Sequence, residues 1–281
     1  MECLKLNNGV KMPNVGIGVF TLTPAQAEGS VYNALKCGYR LIDTANAYEN
    51  EKAVGRGMKK SGVDRKEIFL STKLWPSVYE DEKAIDKTLE RLSVKYIDLL
   101  FLHQPAGNYT FGYKQLEAAY KERKIKAIGV SNFEGKYIEE VLENCEIKPQ
   151  VIQVECHPYF PQTELRKLTD KEDIKLMSWY PLGHGDKSLI NEPLFKELGA
   201  KYSKIPSQII LRWHTQMGFI VIPGSKNAEH IKDNFNIYDF ELTDNEMGQI
   251  SRINKNERYY HRTDESLAGF ANWMPNLDNQ E

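Results

Sequence analysis

Short apolar runs recur along the chain, separated by longer segments in which apolar residues follow a helical period. The runs are rich in valine, isoleucine, leucine and phenylalanine, as strands covered on both faces are. They lie at residues 15–20, 41–45, 69–73, 97–103, 127–132, 151–155, 176–180 and 219–223. Their starts fall about every 25–30 residues, the length of one strand-plus-helix unit, and the longer final gap has room for two helices. Eight such units predict an α/β fold, the (β/α)8 TIM barrel.

Turn and capping residues mark the ends of individual elements. An Asn8-Gly9 pair lies between the short alternating segments 4–6 and 10–12, which predicts an N-terminal β-hairpin. Thr23 and Gln26 have the spacing of a capping box, and Gly38 is a stop signal for the helix that follows. A further amphipathic helix is predicted over 81–92.

The chain beyond residue 254 is aromatic and polar, without a helical pattern. Long structureless segments in compact domains are often functional, so we expect a C-terminal tail that forms a lid over the barrel mouth. Neither a Pro/Ser-rich linker nor a low-complexity segment interrupts the chain, which favours a single barrel domain over residues 1–281.

Composition narrows the class of protein. With 37 basic and 39 acidic residues the net charge is −2, which gives no attraction to nucleic acid or to anionic membranes. We expect neither a signal peptide nor a membrane span, since no apolar run reaches the roughly 20 residues that a span needs. The four cysteines are scattered, which indicates reduced thiols and neither a disulfide framework nor a metal site. We therefore expect a cytoplasmic protein, monomeric or weakly homo-oligomeric, that acts on a small molecule.

Polar residues end three consecutive predicted strands. Asp43, Lys73 and His103 are spaced 30 residues apart, so we expect them at the same level on adjacent strands, with Tyr48 in the loop after the first. Active sites of barrels lie at this end of the strands. Each residue alone has an ordinary explanation: a helix cap, a solvated lysine, a structural histidine or a surface tyrosine. Their coincidence across three units favours an active site.

This set of side chains has a chemical logic. A free tyrosine has a pKa of about 10, too high for an efficient proton donor at neutral pH. A lysine cation next to Tyr48 favours the phenolate and is expected to lower that pKa. Asp43 would orient Lys73, and His103 would hydrogen-bond the substrate oxygen. The arrangement suits proton donation to a carbonyl group whose carbon accepts a hydride from a cofactor.

Sequence motifs throughout the chain resemble those of the aldo-keto reductase superfamily, and more specifically its bacterial diketogulonate-reductase-like group. They are GIGVF at 16–20, LIDTA at 41–45 followed by Tyr48 and Glu51, STKLW at 71–75, DLL at 98–100 leading to His103, GVSNF at 129–133, QVE at 153–155, HPY at 157–159, YPLG at 180–183 and IPGS at 222–225. The resemblance implies a reductase of aldehydes and ketones that uses NADP(H), with NAD(H) also accepted.

The resemblance also implies roles for individual residues. Its catalytic tetrad falls on Asp43, Tyr48, Lys73 and His103. Its cofactor-binding positions fall on Ser131, Asn132 and Gln153 for the nicotinamide amide, Tyr180 for stacking on the ring, Leu182 and Ser225 for the phosphates, and Asp233 and Asn234 near adenine. Ordinary readings of these cofactor positions are helix caps, a satisfied polar group in the barrel, a core aromatic and a solvated helix face.

The chain departs from the family pattern at several positions. Gln104 replaces a common tryptophan and Phe20 a frequent one, whereas Trp75 is retained, so we expect a substrate pocket for small carbonyl compounds rather than steroids. The ordinary reading of Gln104 is that it ties down a loop. A lysine and an arginine that usually hold the cofactor 2′-phosphate are Gly224 and His230 here. Lys226 would replace part of the missing charge, and we expect a weakened preference for NADPH.

Two other functions fit a barrel of this kind. A sugar-phosphate isomerase would need a carboxylate or lysine base and would not need Tyr48. A nicotinamide-binding redox sensor would hold the cofactor without turnover, and the intact tetrad argues against it.

Overall fold

The protein is described from a computed structural model that covers residues 2–278 and 280–281. Eight parallel strands form the barrel in their order along the chain. The strands of the barrel are β3 (Gly16–Gly18), β4 (Leu41–Asp43), β5 (Phe69–Leu74), β6 (Leu99–Leu102), β7 (Ile128–Ser131), β8 (Val151–Glu155), β9 (Lys175–Trp179) and β10 (Ile220–Val221). Parallel bridges from Val15 to Val221 and from Gly18 to Gly224 join the last strand to the first and close the barrel.

Helices cover the outside of the barrel. They are α1 (Pro24–Cys37), α2 (Glu51–Ser61), α3 (Ala84–Leu92), α4 (Tyr109–Lys121), α5 (Lys136–Asn144), α6 (Thr163–Glu172), α7 (Lys187–Ile190), α8 (Pro193–Tyr202), α9 (Pro206–Gln216), α10 (Ala228–Phe235), α11 (Asp244–Ser251) and α12 (Asp264–Asn272). The predicted cap of α1 is confirmed, since the Thr23 side chain accepts from the Gln26 backbone and Gly38 ends the helix at a φ of 113°.

The N-terminal hairpin is also confirmed. Strands β1 (Cys3–Lys5) and β2 (Lys11–Pro13) pair in antiparallel register. Leu6 and Met12 from this hairpin join the apolar cluster inside the barrel, together with Leu41 and Phe101. The hairpin therefore plugs the end of the barrel at which the strands begin.

Strand side chains alternate between two apolar cores. Leu41 points into the barrel and Ile42, the next residue, packs against the helices, as the two-residue period of a strand requires. The barrel interior is tight: a Cβ added at Gly129 would come within 2.3 Å of the Phe101 ring. A glycine on β7 is thus what allows a phenylalanine to fill the interior from β6.

Three details of the predicted elements are wrong. The helix predicted over 81–92 starts only at Ala84, because Asp81 accepts from the Lys83 backbone and holds a turn before it. The longer final gap contains the short α7 as well as α8 and α9. The tail predicted to be structureless contains α12, whose start is capped by Thr263. The strands are mostly shorter than the apolar runs.

Among the described residues, no helix combines the length and the apolar character that crossing a bilayer requires.

Candidate active site

The polar residues at the strand ends lie in the barrel interior, but not at one level. Asp43 pairs in register with Ser71, and Lys73 pairs with Phe101. Lys73 therefore lies two residues beyond Ser71, the register partner of Asp43. His103 lies two residues beyond Phe101, the register partner of Lys73. Strands of a closed barrel are tilted and staggered, which equal sequence spacing does not reveal. An offset of two preserves the face, so all three side chains still point inward.

Lys73 and Asp43 form a buried ion pair at the base of the site. The Lys73 ammonium is fully buried and donates to Asp43 Oδ2 at 2.6 Å and to the Thr44 carbonyl at 2.8 Å. The other carboxylate oxygen of Asp43 accepts from Ser71 Oγ at 2.8 Å and from Gln153 Nε2 at 3.2 Å. Burial lowers the pKa of Lys73, but the charges of Asp43 and Tyr48 and the hydrogen bonds to both together outweigh it, and the net shift is upward. The lysine is therefore a permanent cation.

Tyr48 lies above this pair at the end of a 3₁₀ turn, Asn46–Tyr48. The turn is tied to the end of β5, because Asn46 Oδ1 accepts from the Trp75 backbone N–H at 3.0 Å. The ammonium of Lys73 is 4.9 Å from the centre of the Tyr48 ring. Burial raises the pKa of Tyr48 by more than the Lys73 charge lowers it, so the expected net lowering is wrong for this structure. The phenol therefore holds its proton at neutral pH.

His103 follows β6 and faces the same cavity as Tyr48. Its ring centre is 5.6 Å from that of Tyr48 and 5.0 Å from that of Trp75. Burial, followed by the charge of Lys73, lowers the pKa of His103 well below its ordinary value. Its Nδ1 is buried without a hydrogen-bond partner in the described part of the chain. The imidazole is thus neutral and has unused hydrogen-bonding capacity.

A cavity of about 580 Å³ opens at this end of the barrel, within the size range of small-molecule sites. Twelve of the predicted site residues line it, namely Phe20, Asp43, Tyr48, Trp75, His103, Gln104, Ser131, Asn132, Gln153, Tyr180, Leu182 and Ser225. Lys73 is buried beneath its floor.

One wall of the cavity has free hydrogen-bonding atoms that match a carboxamide. Asn132 Nδ2 donates to the His103 carbonyl and to Ser131 Oγ, and its Oδ1 accepts from Trp179. The Ser131 hydroxyl hydrogen and Gln153 Oε1 have no partner among the described residues, and Asn132 Oδ1 has a second lone pair. One free donor and two free acceptors complement the oxygen and the NH₂ of a carboxamide. The wall therefore fits the amide of a nicotinamide ring.

The Tyr180 ring lies beside this wall in an unusual loop. Tyr180, Gly183, His184 and Gly185 all have positive φ, and the His184 ring stacks on Tyr180 with centres 3.7 Å apart. His184 lines the cavity and was not anticipated from the sequence. A position two residues after the Tyr-Pro-Leu motif carries no chemical signal of its own.

The loop that precedes α10 was predicted to hold cofactor phosphates. The Ser225 hydroxyl accepts from the Asn227 backbone, and Asn227 in turn caps α10. Lys226 is exposed in the same loop. Asp233 and Asn234 lie in α10, where the Asp233 carbonyl accepts from Gln208. Lys226, Asp233 and Asn234 do not line the cavity, so their assignment to the cofactor stays a prediction.

The C-terminal tail lies across the cavity mouth, as expected. The Trp75 indole N–H donates to the Phe270 and Trp273 carbonyls at 3.0 and 3.2 Å. On the opposite side the tail is held by the Tyr260 backbone N–H, which donates to Glu155 at 3.1 Å, and by Arg262, which donates to the Asn132 carbonyl. Tyr260, Phe270 and Trp273 line the cavity and extend the sequence-predicted pocket.

The fold and the site together define a class: a (β/α)8-barrel enzyme with a proton-bearing phenol above a buried Lys–Asp pair and a wall suited to a nicotinamide amide. No group of three or more potential metal ligands occurs within the part of the chain that the structure describes. Such a site is suited to proton transfer beside a hydride-carrying cofactor.

Comparisons with known proteins agree with this class. The model of the aldo/keto reductase family matches residues 14–255. The chain is 43% identical to the glyoxal reductase of Bacillus subtilis over 271 residues, covering 95% of this chain and 98% of that protein. It is 40% identical to the 9,11-endoperoxide prostaglandin H2 reductase of Trypanosoma cruzi over 263 residues, with 92% and 93% covered.

Solved structures show the same relationship. An aldo-keto reductase from a Medee basin deep-sea metagenome library has a TM-score of 0.90 at 37% identity, with 94% of this chain and 98% of that chain covered. The Bombyx mori aldo-keto reductase in complex with NADP has a TM-score of 0.89 at 30% identity, with 94% and 96% covered. The chain belongs to the aldo/keto reductase family and is a carbonyl-reducing oxidoreductase.

Proposed function

We propose that the chain reduces small aldehydes and ketones to alcohols with NADPH, and that 2-oxoaldehydes are among its substrates. The observation that carries the proposal is the fully buried Lys73–Asp43 pair, 2.6 Å long, beneath the Tyr48 ring at the base of the cavity. Burying two charges is costly unless they are paired, and this pair polarises a phenol. The glyoxal reductase relative supports the substrate class, and the NADP-bound Bombyx mori relative supports the cofactor.

The chain's own side chains divide the work of proton transfer. Tyr48 donates its proton to the carbonyl oxygen, and the Lys73 cation stabilises the phenolate that is left. Asp43 holds Lys73 in place. Neutral His103 orients the substrate oxygen by a hydrogen bond. A reduced nicotinamide, when bound, supplies the hydride that the carbonyl carbon accepts.

The cofactor contacts proposed here follow from the free atoms of the wall. Ser131, Asn132 and Gln153 would hold the nicotinamide amide, and the Tyr180 ring would stack on the nicotinamide. The loop with Leu182 and the one with Ser225 and Lys226 would contact the phosphates, and Asp233 and Asn234 would lie near adenine. NADH would be accepted with lower preference.

The test is the loss of the absorbance of the reduced nicotinamide when purified protein is mixed with NADPH and methylglyoxal. We expect enzyme-dependent oxidation of NADPH and formation of a hydroxycarbonyl product. Binding of NADPH without turnover of any aldehyde would instead identify a redox sensor. Conversion of a sugar phosphate without NADPH would identify an isomerase. Either result would overturn the proposed reaction.

We further propose that residues 1–281 act as one domain, as a monomer or weak homo-oligomer in the cytoplasm, without nucleic-acid or membrane partners. The near-neutral net charge of −2 supports this assignment. Size-exclusion chromatography with light scattering tests the oligomeric state.

A further inference from the structure

The side chain of Gln104 is a buried polar group at the active-site cavity. Gln104 directly follows His103 and lines the active-site cavity, yet it is only 7% exposed. Its Oε1 has no partner among the described residues. Buried polar side chains are nearly always paired with protein or ordered water, so this amide has hydrogen-bonding capacity left for a molecule in the cavity.

The side chain is not needed to hold its own loop. The Tyr79 hydroxyl accepts from the Gln104 backbone N–H at 3.0 Å and donates to the Gln104 carbonyl at 2.9 Å. Tyr79 is itself held from α4, where Gln115 Nε2 donates to the Tyr79 carbonyl at 2.8 Å. The backbone of residue 104 is therefore fixed by Tyr79, and the ordinary reading of Gln104 as a loop tie does not match the contacts.

The surrounding wall offers a small substrate mainly aromatic surface. The Trp75 ring is 5.3 Å from that of Phe270 and 5.0 Å from that of Trp273. The one N–H of the Trp75 side chain already donates to the tail carbonyls. Beside His103, the unpaired amide of Gln104 therefore lies in a mainly aromatic wall. Such a wall favours substrates that carry a polar group facing this amide.

We propose that Gln104 is a specificity-determining residue that hydrogen-bonds an oxygen substituent on the carbon next to the reacting carbonyl. His103 and Gln104 both line the same cavity and follow each other in the chain, so they can hold two adjacent substrate oxygens. A hydroxyl both donates and accepts, and it pairs with either end of the amide. The substrates are therefore 2-hydroxyaldehydes and the hydrated forms of 2-oxoaldehydes. This inference rests on the proposed carbonyl reduction.

The experiment compares matched aldehydes in wild type and Gln104→Met, a variant of similar length without polar atoms. The pairs are glycolaldehyde with acetaldehyde and lactaldehyde with propanal, at saturating NADPH and with concentrations corrected for hydration. We expect Gln104→Met to lower kcat/KM for the hydroxylated member of each pair by about three- to tenfold, the loss of one hydrogen bond. The value for the other member stays within about twofold.

A matched control separates hydrogen bonding from loop movement. Gln115→Met makes the same chemical change in the residue that supports Tyr79, outside the cavity, and is expected to leave the ratio within each pair unchanged. Because the ratio is measured within one preparation, partial loss of folded enzyme cancels. If Gln104→Met does not fold, Gln104→Ala carries the same comparison.

Two results would overturn the role of Gln104: an equal loss for both members of each pair, or no change in either. Wild-type enzyme that reduces none of the four aldehydes would be a different failure. It would remove the proposed carbonyl reduction itself, and the role of Gln104 with it.

Discussion

The barrel interior consists of two halves that are built by the same strands and differ in chemistry. On β4 the inward position changes from Leu41 to Asp43, and after Phe101 on β6 the next inward position is His103. In the lower half, at the strand starts, inward side chains are apolar and close-packed. In the upper half, at the strand ends, they are charged, polar or unpaired. Along both of these strands, an apolar inward residue of the core lies only two positions before an inward polar residue of the site.

The difference shows where stability and activity originate. The lower half buries apolar surface under the hairpin plug formed by Leu6 and Met12, and such burial stabilises a fold. The upper half holds the Lys73–Asp43 pair, and buried ion pairs add little net stability. Changes in the lower half should therefore affect unfolding, and changes in the upper half should affect turnover.

The largest expected effect is on turnover. Tyr48→Phe removes the proton donor and should lower kcat for aldehyde reduction by about 10²–10⁴-fold, with NADPH affinity retained because the cofactor wall is untouched. Stopped-flow kinetics and fluorescence titration measure the two quantities. The control is Tyr109→Phe, which removes a hydroxyl that donates to Glu140 away from the cavity. A Tyr48→Phe enzyme with more than about a tenth of wild-type hydride transfer would disprove the assignment.

In the lower half, Phe69→Ala should lower the free energy of unfolding by about 3–5 kcal/mol, because it leaves a cavity in the buried barrel interior at the start of β5. Urea denaturation measures this change. Phe111→Ala is the matched control, since that side chain is 39% exposed, and it should change stability by under about 1 kcal/mol. Similar losses in both variants would contradict the division between the two halves.

A smaller effect is the pH dependence of the free energy of unfolding that His103, in the upper half, contributes. The folded state holds His103 with its pKa well below the ordinary 6.5, so the unfolded chain binds the proton first as the pH falls. Stability from this residue is therefore present above about pH 6.5 and is lost below it, by at most about 1.4 kcal/mol per pH unit.

The matching experiment compares denaturation between pH 7 and pH 5 in wild type and two variants. In His103→Gln the free energy of unfolding should fall less steeply with pH, by up to about 1.4 kcal/mol per pH unit. His261→Gln, which replaces an exposed histidine, should behave as wild type. Equal slopes in all three proteins would show that His103 does not contribute to acid sensitivity.

The smallest expected effect concerns the 2′-phosphate of the cofactor. Lys226→Ala should raise the Kd for NADPH by about tenfold, the lower end of what one charge-assisted hydrogen bond contributes, and leave that for NADH unchanged. Lys232→Ala, also exposed, serves as control. A strong NADPH preference that does not respond to Lys226→Ala would place the phosphate elsewhere.

The strands and the polar residues at their ends could be predicted from sequence because both follow local periodicity. The apolar run at 151–155 matches β8 without change. The stagger between Asp43 and Lys73 could not be predicted, since it depends on the tilt of the closed barrel. The net pKa direction of Tyr48 was missed for a similar reason: burial is a property of the assembled site.

The tail illustrates a second limit of sequence reasoning. A helix as short as α12 is marginal on its own, and its sequence contains the helix-weakening Gly269. Contacts with Trp75, far away in the chain, hold the segment that contains it. The role of Tyr79 in fixing Gln104, across 25 residues, is equally invisible in the sequence.

The alternation of inward and outward side chains along the strands has a consequence for how such a chain can change its length over evolution. A loop between a strand and a helix can gain or lose any number of residues without changing which strand residues point inward. Within β5, loss of a single residue before Lys73 would exchange the inward and outward sets, bringing Thr72 into the interior and turning the lysine toward the helices. Only deletions or insertions of an even number keep the lysine inside. Strands that carry residues of the site can therefore change length only by an even number of residues, whereas the loops are not restricted in this way.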